Sequence, residues 1–166
     1  MKKVLIVLFS LVFSSLIIFA QEPKNNLRKS LFQLKQNFPA VEFGWEENGE
    51  RIFVYQDEDE YNTKDYFFTF KNDRVQSEAL IVGSKGVIRN DTYMWFLQMT
   101  SSFYEKKGFQ RAFVSDSILR AINSFKKSDV IIDSHDYMSE FDYSDFVLVI
   151  QYKPEEKTCL LMYMVN

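Results

Sequence analysis

Two turn signals, Asn48-Gly49 and Asn72-Asp73, each stand between segments whose apolar side chains recur at every second position, and this pattern over residues 41–83 constrains the fold more than any other feature of the chain. Val41, Phe43 and Trp45 alternate with Glu42, Gly44 and Glu46. Tyr66, Phe68 and Phe70 alternate with Phe67 and Thr69, and Val75, Ser77, Ala79 and Ile81 complete a fourth segment. A period of two places successive side chains on opposite faces of a strand. Asn-Gly readily takes the φ > 0 geometry of a type I′ turn, so residues 43–47 and 50–56 are expected to pair as a hairpin. Connections this short cannot make a parallel crossover, and the expectation is a four-stranded antiparallel meander.

The first twenty residues stand apart from the fold. Lys2 and Lys3 precede an almost unbroken apolar run over residues 4–19, and Ala20 is a small residue before Gln21, which is the pattern of a cleaved secretory leader. Ser10, Ser14 and Ser15 interrupt that run, and it falls short of the roughly 20 apolar residues a membrane span needs. The expectation is a leader over residues 1–20 and one domain over residues 21–166, with no transmembrane segment after cleavage. No cysteine lies near the cut to carry a lipid, so the mature protein is expected to be free in a bacterial periplasm or secreted. Removing the two leader lysines leaves 18 basic residues against 23 acidic ones, 18 − 23 = −5, which gives no electrostatic reason to expect nucleic acid as a partner. Cys159 is the only cysteine and sits in an apolar run, so it reads as a small buried residue and no internal disulfide is available.

Three helices flank the strands. From Asn25 or Asn26 as cap, Leu27, Leu31, Leu34 and Phe38 form a helical stripe that Pro39 ends. Asn90-Asp91-Thr92 caps a second helix lined by Tyr93, Phe96, Leu97, Thr100, Phe103 and Tyr104, and Lys106-Lys107-Gly108 closes it. Met94, Trp95 and Met99 make its remaining surface apolar too, so it is either well buried or faces a partner. Residues 109–114 read as a short extended segment, and Ser115 or Asp116 caps a third helix bearing Ile118, Leu119, Ile122 and Phe125. Val130, Ile131 and Ile132 begin a strand, and residues 146–152 and 158–165 are nearly continuous apolar strands, expected to sit centrally with little solvent on either face. The fold class is therefore α+β: an antiparallel sheet of about seven strands covered on one side by two to three helices. Each half reads as a helix followed by a meander, although no residue-level repeat accompanies that outline.

No arrangement of residue types specifies a reaction. The acidic stretch Asp57-Glu58-Asp59-Glu60 departs from the calcium-loop template at Tyr61, Asn62 and Phe68, and reads as a solvated loop. Ser124-Phe125-Lys126-Lys127 has the Ser-x-x-Lys form of penicillin-recognising enzymes without the partner motifs. His135 is the only histidine; Asp133 and His135 would share a strand face, a weak metal candidate because one histidine supplies neither the ligand count nor the spacing of a zinc site. A Cys159–His135 pair lacks a visible activating environment. No catalytic residue, metal or cofactor is assigned.

The element order over residues 25–165 resembles the small exported helix-plus-meander proteins of the β-lactamase-inhibitor-like or cystatin-like kind, which implies protein binding. The Phe19-Ala20-Gln21 junction and the hairpin Phe67-Phe68-Thr69-Phe70-Lys71-Asn72-Asp73 are similar to uncharacterised exported proteins of Bacteroidota. Neither resemblance implies a role for any single residue. Two functions follow as expectations. The first is a non-enzymatic protein of the envelope or the secreted fraction that binds another protein through its sheet face or the Trp95 region, with Trp95, Met99, Trp45, Tyr55 and Tyr66 as candidate contacts. The second is a glycan-binding domain or small hydrolase in which Trp45, Tyr55, Tyr61 and Tyr66 serve as stacking platforms beside Asp57 or Glu60. An exposed aromatic cluster beside converging carboxylates would favour the second; a flat apolar patch would favour the first.

Overall fold

A computed structural model describes residues 25–85, 91–126 and 135–166. Helix α1 (Leu31–Asn37) leads into strands β1 (Glu42–Glu47), β2 (Glu50–Glu58), β3 (Asn62–Lys71) and β4 (Arg74–Ser84). Helix α2 (Asp91–Lys106), strand β5 (Arg111–Phe113) and helix α3 (Asp116–Lys126) follow, and then strands β6 (Tyr137–Asp142), β7 (Phe146–Lys153) and β8 (Thr158–Val165). The strands form one antiparallel sheet in the order β1-β2-β3-β4-β8-β7-β6-β5. Each half is a meander running outward-in, and the two halves join where β4 pairs β8, with Leu80 opposite Leu161. The fold is thus α+β, with eight strands among the described residues where about seven were expected.

Local chemistry explains most of the turns. Asn48 (φ 53) and Gly49 (φ 76) take the left-handed geometry of a type I′ hairpin turn, and Asn72 (φ 51) and Asp73 (φ 58) do the same between β3 and β4. Two sequence expectations are corrected here. Ser30, not Asn25 or Asn26, caps α1: its hydroxyl accepts from Gln33 N at 3.3 Å while the Gln33 side chain accepts from Ser30 N at 3.0 Å, a capping box. Positive φ at Arg28 keeps Leu27 outside the helix. The acidic segment after His135, with Glu140 and Asp142, had no element expected for it; residues 137–142 form β6, in which Ser139 and Phe141 are buried. The strand expected to begin at Val130 lies outside the described residues.

Two β-bulges decide which side chain faces where. Phe43 pairs Phe53 but Trp45 pairs Ile52, so Gly44 is an extra residue. Phe43 and Trp45 therefore stand on opposite faces, although simple alternation puts them together. In β4, Phe70 pairs Val75 and Thr69 pairs Ser77, which makes Gln76 the extra residue. Beyond that bulge Glu78, Leu80 and Val82 join Val75 on one face, and Ser77, Ala79 and Ile81 take the other.

All three helices pack on the face that carries Phe68, Leu80 and Leu161. Phe38, at the end of α1, meets Tyr55, Tyr66 and Phe68 with ring centroids 5.0–5.2 Å apart. From α2, Tyr93 and Phe96 pack on Tyr152 and Tyr137, and Phe103 packs on Phe141 and Tyr163. Ile118 and Ile122 of α3 belong to the same cluster. Its buried hydroxyls are matched, since Thr100 of α2 and Ser139 of β6 share a hydrogen bond of 2.9 Å.

Between this cluster and the smaller one under α1 lies a buried carboxylate. Glu78, 2% exposed, accepts from Asn26 N and Asn26 Nδ2, both at 2.8 Å. The Asn26 side-chain oxygen Oδ1 in turn accepts from Lys29 Nζ at 2.6 Å and Asn37 Nδ2 at 3.1 Å. Backbone hydrogen bonds of 2.8 and 3.0 Å join Arg28 and Lys29 to Val75, so the segment before α1 is laid along the start of β4. Burial raises the Glu78 carboxyl above its ordinary 4.5, while the Asn26 donors and the Lys29 charge pull the other way. The folded state then holds that proton more tightly than the unfolded chain. Glu78 accordingly stabilises the fold most below about pH 4.5, and this contribution is lost as pH rises through its folded value.

Asn26→Ala removes the side-chain donor to a buried carboxylate and should cost about 1–3 kcal/mol near neutral pH. The cost should shrink below about pH 4.5, where Glu78 is protonated in both states. Urea unfolding at the two pH values measures both; an equal cost at each would show that Asn26 acts without Glu78.

Candidate binding surface

With every described helix on one side, the second face of the sheet has no described element over it. Register places Val54, Phe67, Ala79, Met162 and Val149 in one row across β2, β3, β4, β8 and β7. Ile81 and Leu160 stand beside each other in the next row, and Ile52, Met164 and Val147 lie in the row on the other side. Trp45 extends this surface at the β1 edge, where its ring meets Phe67 at 6.3 Å. Met138 and Phe113 extend it at the β6–β5 end, 55% and 49% exposed. Most of the central residues are only partly buried. β7 and β8 are central in pairing, as expected; on the side with no described element over it Val149 is buried and Val147, Leu160, Met162 and Met164 are partly buried.

Most charged groups of this face stand at strand ends and at its two edges, with Asp65 further in, opposite Ile81. Arg111 binds Asp142 at 2.9 Å and stacks on Phe113 at 4.4 Å from its centroid, next to Glu140 on β6. Glu50 and Lys71 pair at 3.7 Å at one end of the strands, and Lys153 binds Glu156 at 2.9 Å at the other. Asp65 of β3 is held by Gln56 Nε2 at 2.9 Å. The middle of β4, β8 and β7 on this side presents only apolar groups, Ser77 and Gln151.

The other sequence candidates lie elsewhere. Trp95 and Met99 are 7% and 0% exposed and belong to the core, so α2 is apolar all round because it is buried, and the partner-facing reading of these two residues is set aside. Tyr55 and Tyr66 sit under α1 against Phe38, on the opposite face from Trp45. Burial, followed by the charges of Asp57 and Glu78, pushes the Tyr66 phenol up to about 12, which leaves it neutral and unsuited to act as a base. The aromatics proposed as stacking platforms are thus divided between two faces. His135 is exposed just before β6, and Asp133 lies outside the described residues. Among the described residues no three His, Cys, Asp or Glu side chains converge.

The acidic loop uses its carboxylates within the chain. Asp59 accepts from Tyr61 N at 2.9 Å and Asn62 N at 2.8 Å and binds Lys64 at 3.1 Å, while Glu58 binds Lys85 at 2.7 Å. Partial burial works against the charge on Asp59, but these donors outweigh it and hold its carboxyl below the ordinary range. Cys159 is fully buried beside Val82 and Tyr152, and burial pushes its thiol well above the ordinary range, so it packs and does not react. No helix among the described residues is long and apolar enough to cross a membrane.

Two outcomes follow. Trp95→Asp should remove cooperative unfolding in circular dichroism, because a carboxylate in that core costs more than about 4 kcal/mol. A thiol reagent should modify Cys159 only at the rate of global opening, which fluorescence-detected unfolding measures independently; labelling faster than unfolding would mean that β8 opens locally. Compared with family models, with curated proteins and with solved structures, the chain finds no match.

Proposed function

We propose that this is an exported, non-catalytic protein that binds a protein surface in the envelope or the secreted fraction through the open face of its sheet. One observation carries the reading: a row of apolar side chains across β2, β3, β4, β8 and β7, with charged groups around it, on the side away from every described helix. An apolar centre with a polar rim is the anatomy of a protein interface. Among the described residues Cys159 is buried, and Glu58, Asp59 and the buried Glu78 are held by hydrogen bonds or ion pairs, which supports binding over a reaction at these groups.

The test is a photoactivatable amino acid placed in cells at Leu160, with Lys35 on α1 as the control position. A discrete protein adduct is expected from Leu160 and none from Lys35. Ile81→Lys, a substitution at a partly exposed site, should leave the thermal midpoint within a few degrees and remove the adduct. Adducts of equal yield at both positions, or none at Leu160, would count against the open face as an interface.

A further inference from the structure

We propose that the free edge of β1 takes a further strand, an extended segment of another protein with lysine or arginine set around a short apolar centre. The inference goes beyond the open face: it uses the margin of the sheet and largely different residues, so either can hold without the other.

β1 is an edge of the sheet, hydrogen-bonded to β2 alone, and all six of its residues are exposed. On its outer side every second residue turns N–H and C=O groups away from β2, a template on which another chain can pair. The opposite edge, β5, has three residues and offers less. What sets β1 apart is where the bulge at Gly44 puts its rings. Phe43, 57% exposed, meets Phe53 on the helix side, and Trp45, 44% exposed, meets Phe67 on the open side. One ring thus flanks the edge on each side, and a strand laid against β1 covers both.

Charge selects the occupant. Glu42 and Glu47 stand with Trp45 on the open side, and Glu46 with Phe43 on the helix side, as their pairing with Val54, Glu50 and Arg51 dictates. None of these three glutamates has an ion pair or side-chain hydrogen bond among the described residues; Arg51 binds Asp73 and Lys71 binds Glu50. A second β1 edge therefore meets like charges, whereas a basic segment meets opposite ones on both sides. With the extra Gly44 left out, β1 reads Glu, aromatic, aromatic, Glu, Glu. The complementary strand reads basic, apolar, apolar, basic, basic, in one direction or the other. Backbone pairing supplies the attachment and the side chains supply the selectivity, as in other peptides that add to a sheet edge.

The test uses isotope-labelled protein expressed from the complete coding sequence and the peptide acetyl-Ser-Lys-Lys-Val-Val-Lys-Lys-Ser-amide. Titration followed by nuclear magnetic resonance should give saturable shifts in β1 and β2, with a dissociation constant below about 1 mM. Amide exchange in β1 should slow in the bound state. Glu46→Lys and Glu42→Lys, both at exposed sites, should each weaken binding by about tenfold with the rest of the spectrum unchanged. A peptide with glutamate in place of every lysine should leave the wild type untouched and bind the Glu42→Lys, Glu46→Lys double variant, a rescue that a misfolded variant could not give. N-methylation of the peptide backbone, which removes its donors, should abolish binding. No saturable shift at about 1 mM peptide would overturn the inference. Equal binding of the N-methylated or the glutamate peptide to the wild type would also overturn it, because neither backbone pairing nor charge would then choose the occupant. Shifts at Val149, Leu160 and Met162 in place of β1 would overturn it as well, and would leave the function proposed above standing on the open face.

Discussion

The pairing of β4 with β8 holds the molecule together as one body. Each four-stranded meander alone would bury one face under a single short helix or helix pair, and small sheets of that kind are marginal in water. Joining them along Ser77–Gly83 and Thr158–Met164 makes β4 and β8 the two central strands. Leu80, Val82, Cys159 and Leu161 then meet across the seam beneath α2, and a single cluster extends from Tyr66 of one half to Phe141 of the other. The seam also brings together strands far apart in sequence, so its loop-closure cost comes late and folding is slower than two separate meanders would allow.

The same seam creates the open face. Both helical contributions arrive on one side: α1 over β2 to β4, and α2 with α3 over the strands around the seam. A sheet buried on one side ordinarily carries polar residues on the other. Here Phe67, Ile81, Leu160 and Met162 occupy those positions. They stand outside the two buried clusters and are partly buried.

Much of this was legible in the residues and some was not. The tight turns at Asn48-Gly49 and Asn72-Asp73 set the first meander because they depend on backbone preferences that two residues express alone. The bulges at Gly44 and Gln76 were not legible, because an extra residue is defined only against the partner strand; without them Trp45 goes to the wrong face and the second half of β4 is inverted. Strand β6 was hidden by Ser139, a polar residue in a core position that becomes acceptable only when Thr100 of a distant helix bonds to it. The apolar character of α2 suited burial and binding equally, and packing alone resolved it. The open face did leave a signal: Val147 and Val149 with Leu148 and Ile150, and Met162 and Met164 with Leu161 and Tyr163, are apolar in both phases of a strand, whereas the helices suffice for only one side.

The outermost strands carry a consequence of their own. β5 is three residues long and Arg111, bonded to Asp142 and stacked on Phe113, stands along it; β1 is kinked at Gly44 and bears Glu42, Glu46 and Glu47. Short length, bulges and like charge each discourage a strand from adding to its own kind. Extension of the sheet by successive edge pairing is therefore disfavoured at both margins, even though one side of the sheet displays apolar side chains.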